Sequence, residues 1–436
     1  MTEKIIEKKE SALRFHTIHT DRFKMSRMSF NFVLPADAYR SPLTRLTLAV
    51  LMRGCRKYPT VVDLNKRVDN LYGATVTWRA TSLGSCHVFK ISCEMLRDQY
   101  RFAGDTESII RGVCDTVLDI LFDPLLDGDG LLSKAHFESE KKLAIDAIRA
   151  KINDQKAYAA EKCWELMLSD HPAGVSVEGD EAQIRSFTLR EVTENLYWFL
   201  ENAALECYYV GGDDVDGVIE EIADRFATLK REGARLVGSE NRALREEGSP
   251  IREKEEAMNV SQGRLHLGYK SGVVMGDRDY YALCLFNEIF GGSSVSKLFM
   301  NVREKKSLCY YCYSSYHSAT GCLTVGCGIK PENKEKAQKE IERQLQEMKK
   351  GRFTEEEMES ARKSIISGLR QLSDSPASME AFAFRRVLAG IEETVEETME
   401  RVMSVTPAEI VAVAERVKLD TVYFLAGNGE EEYEDE

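Results

Sequence analysis

A repeated pattern constrains the fold of this chain more than any other feature of its sequence. Thr188 and Glu191 have the spacing of a capping box, in which both side chains satisfy backbone amides at the start of a helix. Thr406 and Glu409 repeat this spacing, and in both places an apolar strand that ends at glycine follows the predicted helix. The two threonines are 218 residues apart, which is half of the chain length of 436. The sequence therefore predicts a duplicated domain.

The same pattern sets the predicted domain boundaries. A second pair of segments, 71–74 and 289–292, has a similar offset and supports the duplication. Between the halves, residues 230–257 are rich in charge, Gly, Ser and Pro, which is the composition of a linker. We predict an N-terminal domain over residues 1–229, a linker over 230–257 and a C-terminal domain over 258–436. Because strands open and close each half with long helices between them, each domain is predicted to be an α+β sandwich.

Composition narrows the classes of function. A hydrophobic fraction of 43% and a charged fraction of 30% are typical of a globular protein with a large core. The net charge of −13 disfavours a nucleic-acid partner, and the absence of an apolar run of eighteen residues disfavours a membrane span. The first residues lack a secretory pattern, and eleven scattered cysteines are typical of reduced thiols, so we predict a cytoplasmic location. The acidic residues 430–436 are predicted to form a solvated tail.

One predicted helix has the position of a metal-binding motif, but other side chains replace the ligands and the catalytic base. Residues 41–59, SPLTRLTLAVLMRGCRKYP, resemble the helix on which insulinase-type zinc peptidases carry the motif H-x-x-E-H. The resemblance places Arg45, Leu48 and Ala49 where that family has His, Glu and His. Two imidazoles one helical turn apart hold zinc, and the glutamate between them activates a water molecule. Arginine, leucine and alanine can do neither.

A second segment agrees with the first. Residues 137–148 resemble the family helix on which the third zinc ligand, a glutamate, follows an earlier glutamate by seven residues. Glu140 retains the earlier glutamate, whereas Ala147 stands at the ligand position. A shift of one residue would bring in Asp146, but it would not restore the imidazoles. The resemblance therefore implies that this chain has no metal site and no cofactor, with zinc expected in a partner subunit.

The second half retains a substrate-binding pattern of the same family. Residues 302–310, VREKKSLCY, follow a glycine-rich run and resemble the family pattern R-E-K-x-G-L-x-Y, with Ser307 in place of the glycine. In family members this Arg and Tyr reach across the chamber between the halves and touch the substrate. The resemblance implies that Arg303 and Tyr310 bind substrate, since a guanidinium and a phenol can donate to a peptide carbonyl. The alternative is that Arg303 pairs with a nearby acid and Tyr310 packs in a sheet.

The resemblance covers nearly the whole chain and carries further implications. It implies two tandem α/β sandwich domains of the insulinase and mitochondrial-processing-peptidase type, with antiparallel-rich sheets and helices packed on one face. It also implies a zinc-less subunit without peptidase activity of its own, which binds a peptide substrate and pairs with a zinc-bearing homologue, or with itself in isolation. Within the family, the likeness is to a bacterial subgroup associated in some species with elongation factor P modification. The alternative function is a non-proteolytic binding or scaffold protein.

Two smaller patterns leave alternatives. Residues 73–78 resemble the edge strand to which this family adds an extended peptide, but their alternation also fits an ordinary inner strand. Cys309 and Cys312, followed by Cys322 and Cys327, could suggest a zinc site. Residues three apart on a strand face opposite ways, however, so buried thiols are the favoured interpretation.

Overall fold

A computed structural model describes residues 3–8, 13–231, 234–236, 238, 241–258 and 262–427. By packing, the described chain forms two compact units that are not contiguous in sequence. Unit 1 draws on residues 1–149, 175–239 and 372–388, whereas unit 2 draws on residues 150–174, 240–371 and 389–436. Each unit therefore contains a short segment from the other half of the chain. The predicted division at residues 1–229, 230–257 and 258–436 is sequential and does not include this exchange.

Each unit is built on one mixed, mainly antiparallel sheet. Unit 1 has six strands in the order β1-β2-β6-β3-β5-β4, and unit 2 has five in the order β7-β11-β8-β10-β9. The strands are β1 (Glu3–Lys8), β2 (Leu13–His19), β3 (Met25–Pro35), β4 (Thr75–Leu83), β5 (Cys86–Leu96), β6 (Ala204–Gly211), β7 (Arg252–Met258), β8 (Gly263–Lys270), β9 (Cys309–His317), β10 (Cys322–Ile329) and β11 (Lys418–Gly427).

The described residues also form fourteen α-helices and two π-helical segments. The helices are α1 (Arg40–Leu51), α2 (Val61–Asn70), α3 (Ile109–Phe122), α4 (Lys134–Ala150), α5 (Gln155–Met167), α6 (Glu181–Ser186), α7 (Leu189–Asn202), α8 (Asp216–Ala227), α9 (Tyr280–Asn287), α10 (Lys334–Lys349), α11 (Glu355–Gln371), α12 (Pro376–Ala389), α13 (Val395–Ser404) and α14 (Pro407–Arg416). The π-helical segments are Glu288–Gly292 and Phe299–Glu304.

Helices cover both faces of the unit 1 sheet. The main core joins one face to α1, α3, α7 and α8. On the opposite face, Tyr208 and Val210 of β6 pack with Phe384 and Leu388 of α12. Because successive side chains of a strand point to opposite faces, β3 is buried at every position except its two ends. The second face is thus closed by a helix from the other half of the sequence.

Unit 2 repeats this arrangement. Its main core joins one sheet face to α9, α10, α11, α13 and α14. On the opposite face, Ala159 and Cys163 of α5 pack with Tyr423 and Leu425 of β11. The exchanged helix is here α5, which comes from the N-terminal half of the chain. The predicted class, two tandem α+β sandwich domains, is confirmed. The prediction that helices pack on one face of each sheet is incomplete, because α12 and α5 cover the second faces.

The duplication is confirmed at its strongest signal. Thr188 and Thr406 both form complete capping boxes, and each helix that they begin is followed by a central strand of its sheet. The supporting pair is wrong: residues 71–74 precede strand β4, whereas residues 289–292 lie in a π-helical segment.

Two further predictions meet the structure only in part. The predicted linker 230–257 ends inside strand β7 (Arg252–Met258), which is parallel to β11. The predicted acidic tail, residues 430–436, lies outside the described residues. Within the part of the chain that the structure covers, no helix is both long and apolar enough to cross a membrane.

Candidate functional site

Helix α1 carries the three positions at which the zinc motif is replaced. Ten of its twelve residues are buried, because the helix packs against α7 and in the main core of unit 1. Leu48 is fully buried and Ala49 is 6% exposed, so both are part of the packed interior. Arg45 is partly exposed, and its guanidinium lies 3.7 Å from the carboxylate of Glu178. A leucine and an alanine therefore fill the interior where the family has a base and a ligand.

The third ligand position belongs to α4, where a guanidinium interacts with the retained glutamate. Arg53 Nε lies 2.7 Å from Glu140 Oε1, and Arg53 Nη2 donates to Ser139 Oγ at 2.6 Å. Burial raises the pKa of Glu140, and Arg53 and Arg45 oppose the rise only in part. Ala147, at the ligand position, is exposed. The carboxylate of Glu140 is thus balanced by arginine from within the chain.

These residues do not fit a zinc ion. An arginine side chain stays protonated and offers no lone pair to a metal, and neither leucine nor alanine has a ligand atom. Among the residues that the structure describes, no three His, Cys, Asp or Glu side chains are arranged to hold a metal. No role was predicted for Arg53 from the sequence. Its position four residues after Ala49, one helical turn further on, is the signal that could have indicated one.

Arg303 lies at the end of the second π-helical segment, on the surface of unit 2. Its side chain is 42% exposed, and its guanidinium stacks on the ring of Phe299 at 4.6 Å from the ring centre. Its Nε atom is 3.5 Å from the carboxylate of Glu304. Because this ion pair is solvent-exposed and not closely bonded, it constrains the guanidinium weakly. Arg303 is therefore accessible to a ligand.

Tyr310 lies on β9, the edge strand of the unit 2 sheet, and is 57% exposed. The β9–β10 register shifts at Gly328 and Ile329, so Tyr310 has no paired partner on β10. This bulge projects the phenol away from the ladder. Just before the strand, Ser307 has a φ of 48°, in the left-handed region that favours glycine. The family's glycine at that position thus has a local conformational reason.

The predicted burial of the thiols is confirmed for Cys312, Cys322 and Cys327, whereas Cys309 is half-buried. The bulge contradicts only the expected facing of Cys309 and Cys312. Because Tyr310 is the extra residue, Cys309 pairs opposite Ile329 while Cys312 pairs directly opposite Cys327. Cys309 and Cys312 consequently share one face of the sheet, and the prediction that they face opposite ways is wrong. Hydrogen bonds from Cys312 and Cys327 and the charge of Arg303 lower the pKa of the Cys309 thiol, and partial burial opposes them. Cys309 is therefore expected to lose its proton more readily than an ordinary thiol.

Cys309 is expected to be the most reactive of the eleven thiols. At pH 6 an ordinary thiol is mostly protonated. Iodoacetamide should therefore alkylate Cys309 at least about tenfold faster than any other cysteine of the chain. The measurement is peptide mapping by mass spectrometry after brief labelling of the folded protein. Cys284 is the matched control, since burial raises the pKa of its thiol to about 12. Equal labelling of Cys309 and Cys284 would contradict this prediction.

Residues 73–78 lead into an edge strand, as one of the two interpretations predicted. Strand β4 is the last strand of the unit 1 sheet and pairs on one side only, with β5. Its side chains alternate between exposed and half-buried along most of its length. An edge strand can accept an additional extended chain through its unpaired backbone groups. The alternative of an inner strand is wrong.

The sequence matches a known domain and a relative of the same length. Residues 186–365 match the model of the domain described as "Peptidase M16 inactive domain". Over 422 residues the chain is 30% identical to the probable inactive metalloprotease YmfF of Bacillus subtilis, with 97% of each chain covered.

Two more comparisons extend this result. An uncharacterized zinc protease of Mycobacterium tuberculosis is 27% identical over 308 residues, or 68% of each chain. The crystal structure of a conserved protein from Enterococcus faecalis superposes with a TM-score of 0.90 at 25% identity, covering 99% of this chain and 100% of that one. The whole described fold thus has a solved counterpart.

Proposed function

Since this chain belongs to the insulinase-type (M16) peptidase family and lacks the family's zinc-binding and catalytic side chains, we propose that it is the non-catalytic, peptide-binding subunit of a zinc peptidase. The single observation that carries the proposal is the contrast between its two motifs. Arginine, leucine and alanine replace the zinc motif, whereas Arg303 and Tyr310 are retained and exposed.

The proposed work of this chain is to position the peptide. The guanidinium of Arg303 and the hydroxyl of Tyr310 donate hydrogen bonds to a peptide carbonyl, and to the oxyanion that develops from it during hydrolysis. Zinc, in a homologous partner subunit, supplies the metal chemistry.

The partner is proposed to be a zinc-bearing member of the same family, in a heterodimer, with a homodimer in isolation. The high negative charge gives no support for a nucleic-acid partner. The described residues include all eleven cysteines, and none of these forms a disulfide, which supports a reducing compartment and hence the predicted cytoplasmic location. The association of similar proteins with elongation factor P modification is not carried over to this chain.

Reconstitution tests the proposal. The chain and a zinc-bearing homologue from the same genome are purified separately and together, and cleavage of a library of unstructured peptides is measured. We expect no cleavage by this chain alone and a rate with the pair that exceeds the rate of the homologue alone at least tenfold. A homologue that forms no complex with this chain, or that is equally active without it, would contradict the proposal.

The alternative function, a non-proteolytic binding or scaffold protein, makes a different prediction in the same experiment. A stable complex forms, but peptides bound by this chain are released uncut. The probable inactive metalloprotease that matches the full chain length favours keeping this alternative.

A further inference from the structure

The duplication allows each position of unit 1 to be matched to a position of unit 2. Helices α12 and α5 each follow a short 3-10 turn at the end of a long helix, over Leu372–Asp374 and Lys151–Asn153. The two turns are 221 residues apart, so Glu380 of α12 corresponds to Ala159 of α5. Both helices lie on the second face of their sheets.

The strands beneath these helices match as well. Tyr208 of β6 packs against α12, and Tyr423 of β11 packs against α5. In the neighbouring strands, Ser29 lies opposite Tyr208 and His266 lies opposite Tyr423. Two residues before each of these stand Arg27 and Arg264, on the same faces. Arg27 and Arg264 are therefore equivalent positions.

In unit 1 the equivalent arginine is bound by two carboxylates. Arg27 Nε donates to Glu380 Oε2 at 2.6 Å, and Arg27 Nη1 donates to Glu94 Oε1 at 2.6 Å. Glu380 comes from the exchanged helix, and Glu94 lies directly opposite Arg27 on the adjacent strand. The guanidinium is thus fully neutralised inside the unit.

In unit 2 both carboxylates are missing. Ala159 replaces Glu380, and Gly328, directly opposite Arg264, replaces Glu94. Arg264 Nε and Nη1 are buried and have no hydrogen-bond partner among the described residues. The acid on this face, Glu256, accepts hydrogen bonds from the hydroxyls of Tyr158 and Tyr423 instead. Arg264 is half-buried and its guanidinium lies 5.9 Å from the centre of the Tyr311 ring. Burial of Nε and Nη1 without hydrogen-bond partners is costly, so this position favours an anion supplied from outside.

The surroundings of Arg264 are basic and aromatic. His266 is 2% exposed, and its Nε2 atom has no hydrogen-bond partner within the described chain. The ring centres of Tyr311 and Tyr313 are both 4.7 Å from the ammonium of Lys156. Burial and, to a smaller extent, the charges of Lys156 and Arg264 lower the pKa of His266 to about 4. A negative group here meets two fixed positive charges and a neutral imidazole.

Glycines make room for this arrangement. Tyr311 and Tyr313 lie opposite Gly328 and Gly326 on the adjacent strand. A Cβ atom at Gly328 would approach the Tyr311 ring to 2.4 Å, and one at Gly326 would approach the Tyr313 ring to 2.8 Å. The rings therefore lie over the glycines, and the centre of the Tyr311 ring is 5.9 Å from the guanidinium of Arg264.

We propose that Arg264 and His266, with Lys156 at the rim, bind a carboxylate group of an external ligand in the place that Glu380 and Glu94 occupy in unit 1. A carboxylate fits because the same guanidinium position binds two carboxylates in the sister unit, and its planar fork matches that geometry. The source is the C-terminus or an acidic side chain of a peptide. This inference does not rest on the proposed role of Arg303 and Tyr310.

Calorimetry with the full chain tests the site. The probes are a blocked tripeptide acid, the same tripeptide amide, the amide with an internal glutamate, and inorganic phosphate. We expect the acid or the glutamate peptide to bind at millimolar concentration and the plain amide not to bind; which of the two binds identifies the source. Arg264→Gln should weaken binding roughly tenfold to a hundredfold, as expected for a lost charged hydrogen bond. The control, Arg278→Gln, changes an exposed arginine of the same unit and should leave binding unchanged.

A second variant supplies the missing carboxylate from within. Ala159→Glu should raise the thermal midpoint and abolish probe binding, whereas Ala157→Glu, at an exposed position of the same helix, should do neither. If Ala159→Glu fails to fold, Arg264→Gln decides the question. Wild-type protein that binds no carboxylate probe, folded Arg264→Gln that binds normally, or tighter binding of phosphate than of the carboxylates would overturn the inference.

Discussion

Replacing Glu380 by alanine is expected to lower the free energy of unfolding by about 3–5 kcal/mol, the usual cost of removing one partner from a buried ion pair. Glu380 is completely buried and binds the side chains of Arg27, Lys90 and Ser29. Without it, two cations remain in the interior with no carboxylate on the α12 side. Burial alone would raise the pKa of Glu380, but Lys90 and Arg27 more than offset it, so the pKa is lowered.

Urea unfolding at pH 7 measures this effect. Glu380→Gln should be nearly as destabilising as Glu380→Ala, because it keeps the shape and removes only the charge. Glu400→Ala, at an exposed position on α13, is the control and should stay within about 0.5 kcal/mol of wild type. Since the folded pKa of Glu380 is depressed, its stabilisation is present at neutral pH and is lost as pH falls below about 4.5. If both Glu380 variants lower the free energy of unfolding by less than about 1 kcal/mol, the contacts of Glu380 with Arg27, Lys90 and Ser29 do not stabilise the fold.

The second large effect is expected on catalysis by the reconstituted pair. Changing Arg303→Ala together with Tyr310→Phe should lower kcat/KM for peptide cleavage about a hundredfold or more, the usual effect of losing donors to a developing oxyanion. Because the proposed donors act on the peptide, the double variant should still form the complex with the zinc-bearing homologue. Both side chains are well exposed, and the free energy of unfolding should change little.

A matched control keeps this prediction specific. Lys305→Ala with Tyr197→Phe removes a nearby exposed cation and an exposed phenol of unit 1, and should leave kcat/KM within about twofold. Complex formation is followed by size-exclusion chromatography for both double variants. If the Arg303 and Tyr310 variant assembles and cleaves peptides at the wild-type rate, these residues do not position substrate.

Much of the fold could be predicted from the sequence because its signals are local. The capping boxes at Thr188 and Thr406 fix helix starts by their own hydrogen bonds, so they were recognisable without tertiary information. The replaced zinc motif was equally recognisable, since ligand chemistry depends on residue type and spacing alone.

The exchange of α5 and α12 could not be predicted. Neither helix has a strongly amphipathic pattern, and nothing local states which sheet a helix will cover. Glu380 shows the difficulty most clearly, because its partners Arg27 and Lys90 lie 353 and 290 residues away.

Register was the other missing information. The bulge at Gly328 and Ile329 inverted the expected facing of Cys309, and strand alternation alone cannot reveal such an insertion. For the same reason, the sequence could not show that Nε and Nη1 of Arg264 lack hydrogen-bond partners. Its significance depends on the residue opposite it, Gly328, and on the helix above it.

Arginine and apolar residues replace the zinc ligands in this chain, whereas Arg303 and Tyr310, which we propose position the peptide, remain. The most direct test is the zinc content of the chain, measured by mass spectrometry of metals after incubation with zinc and desalting. We expect less than about 0.1 zinc per chain for the purified protein and one zinc per heterodimer after reconstitution, since the ligand positions hold Arg45, Ala49 and Ala147. One zinc bound per isolated chain would contradict the account.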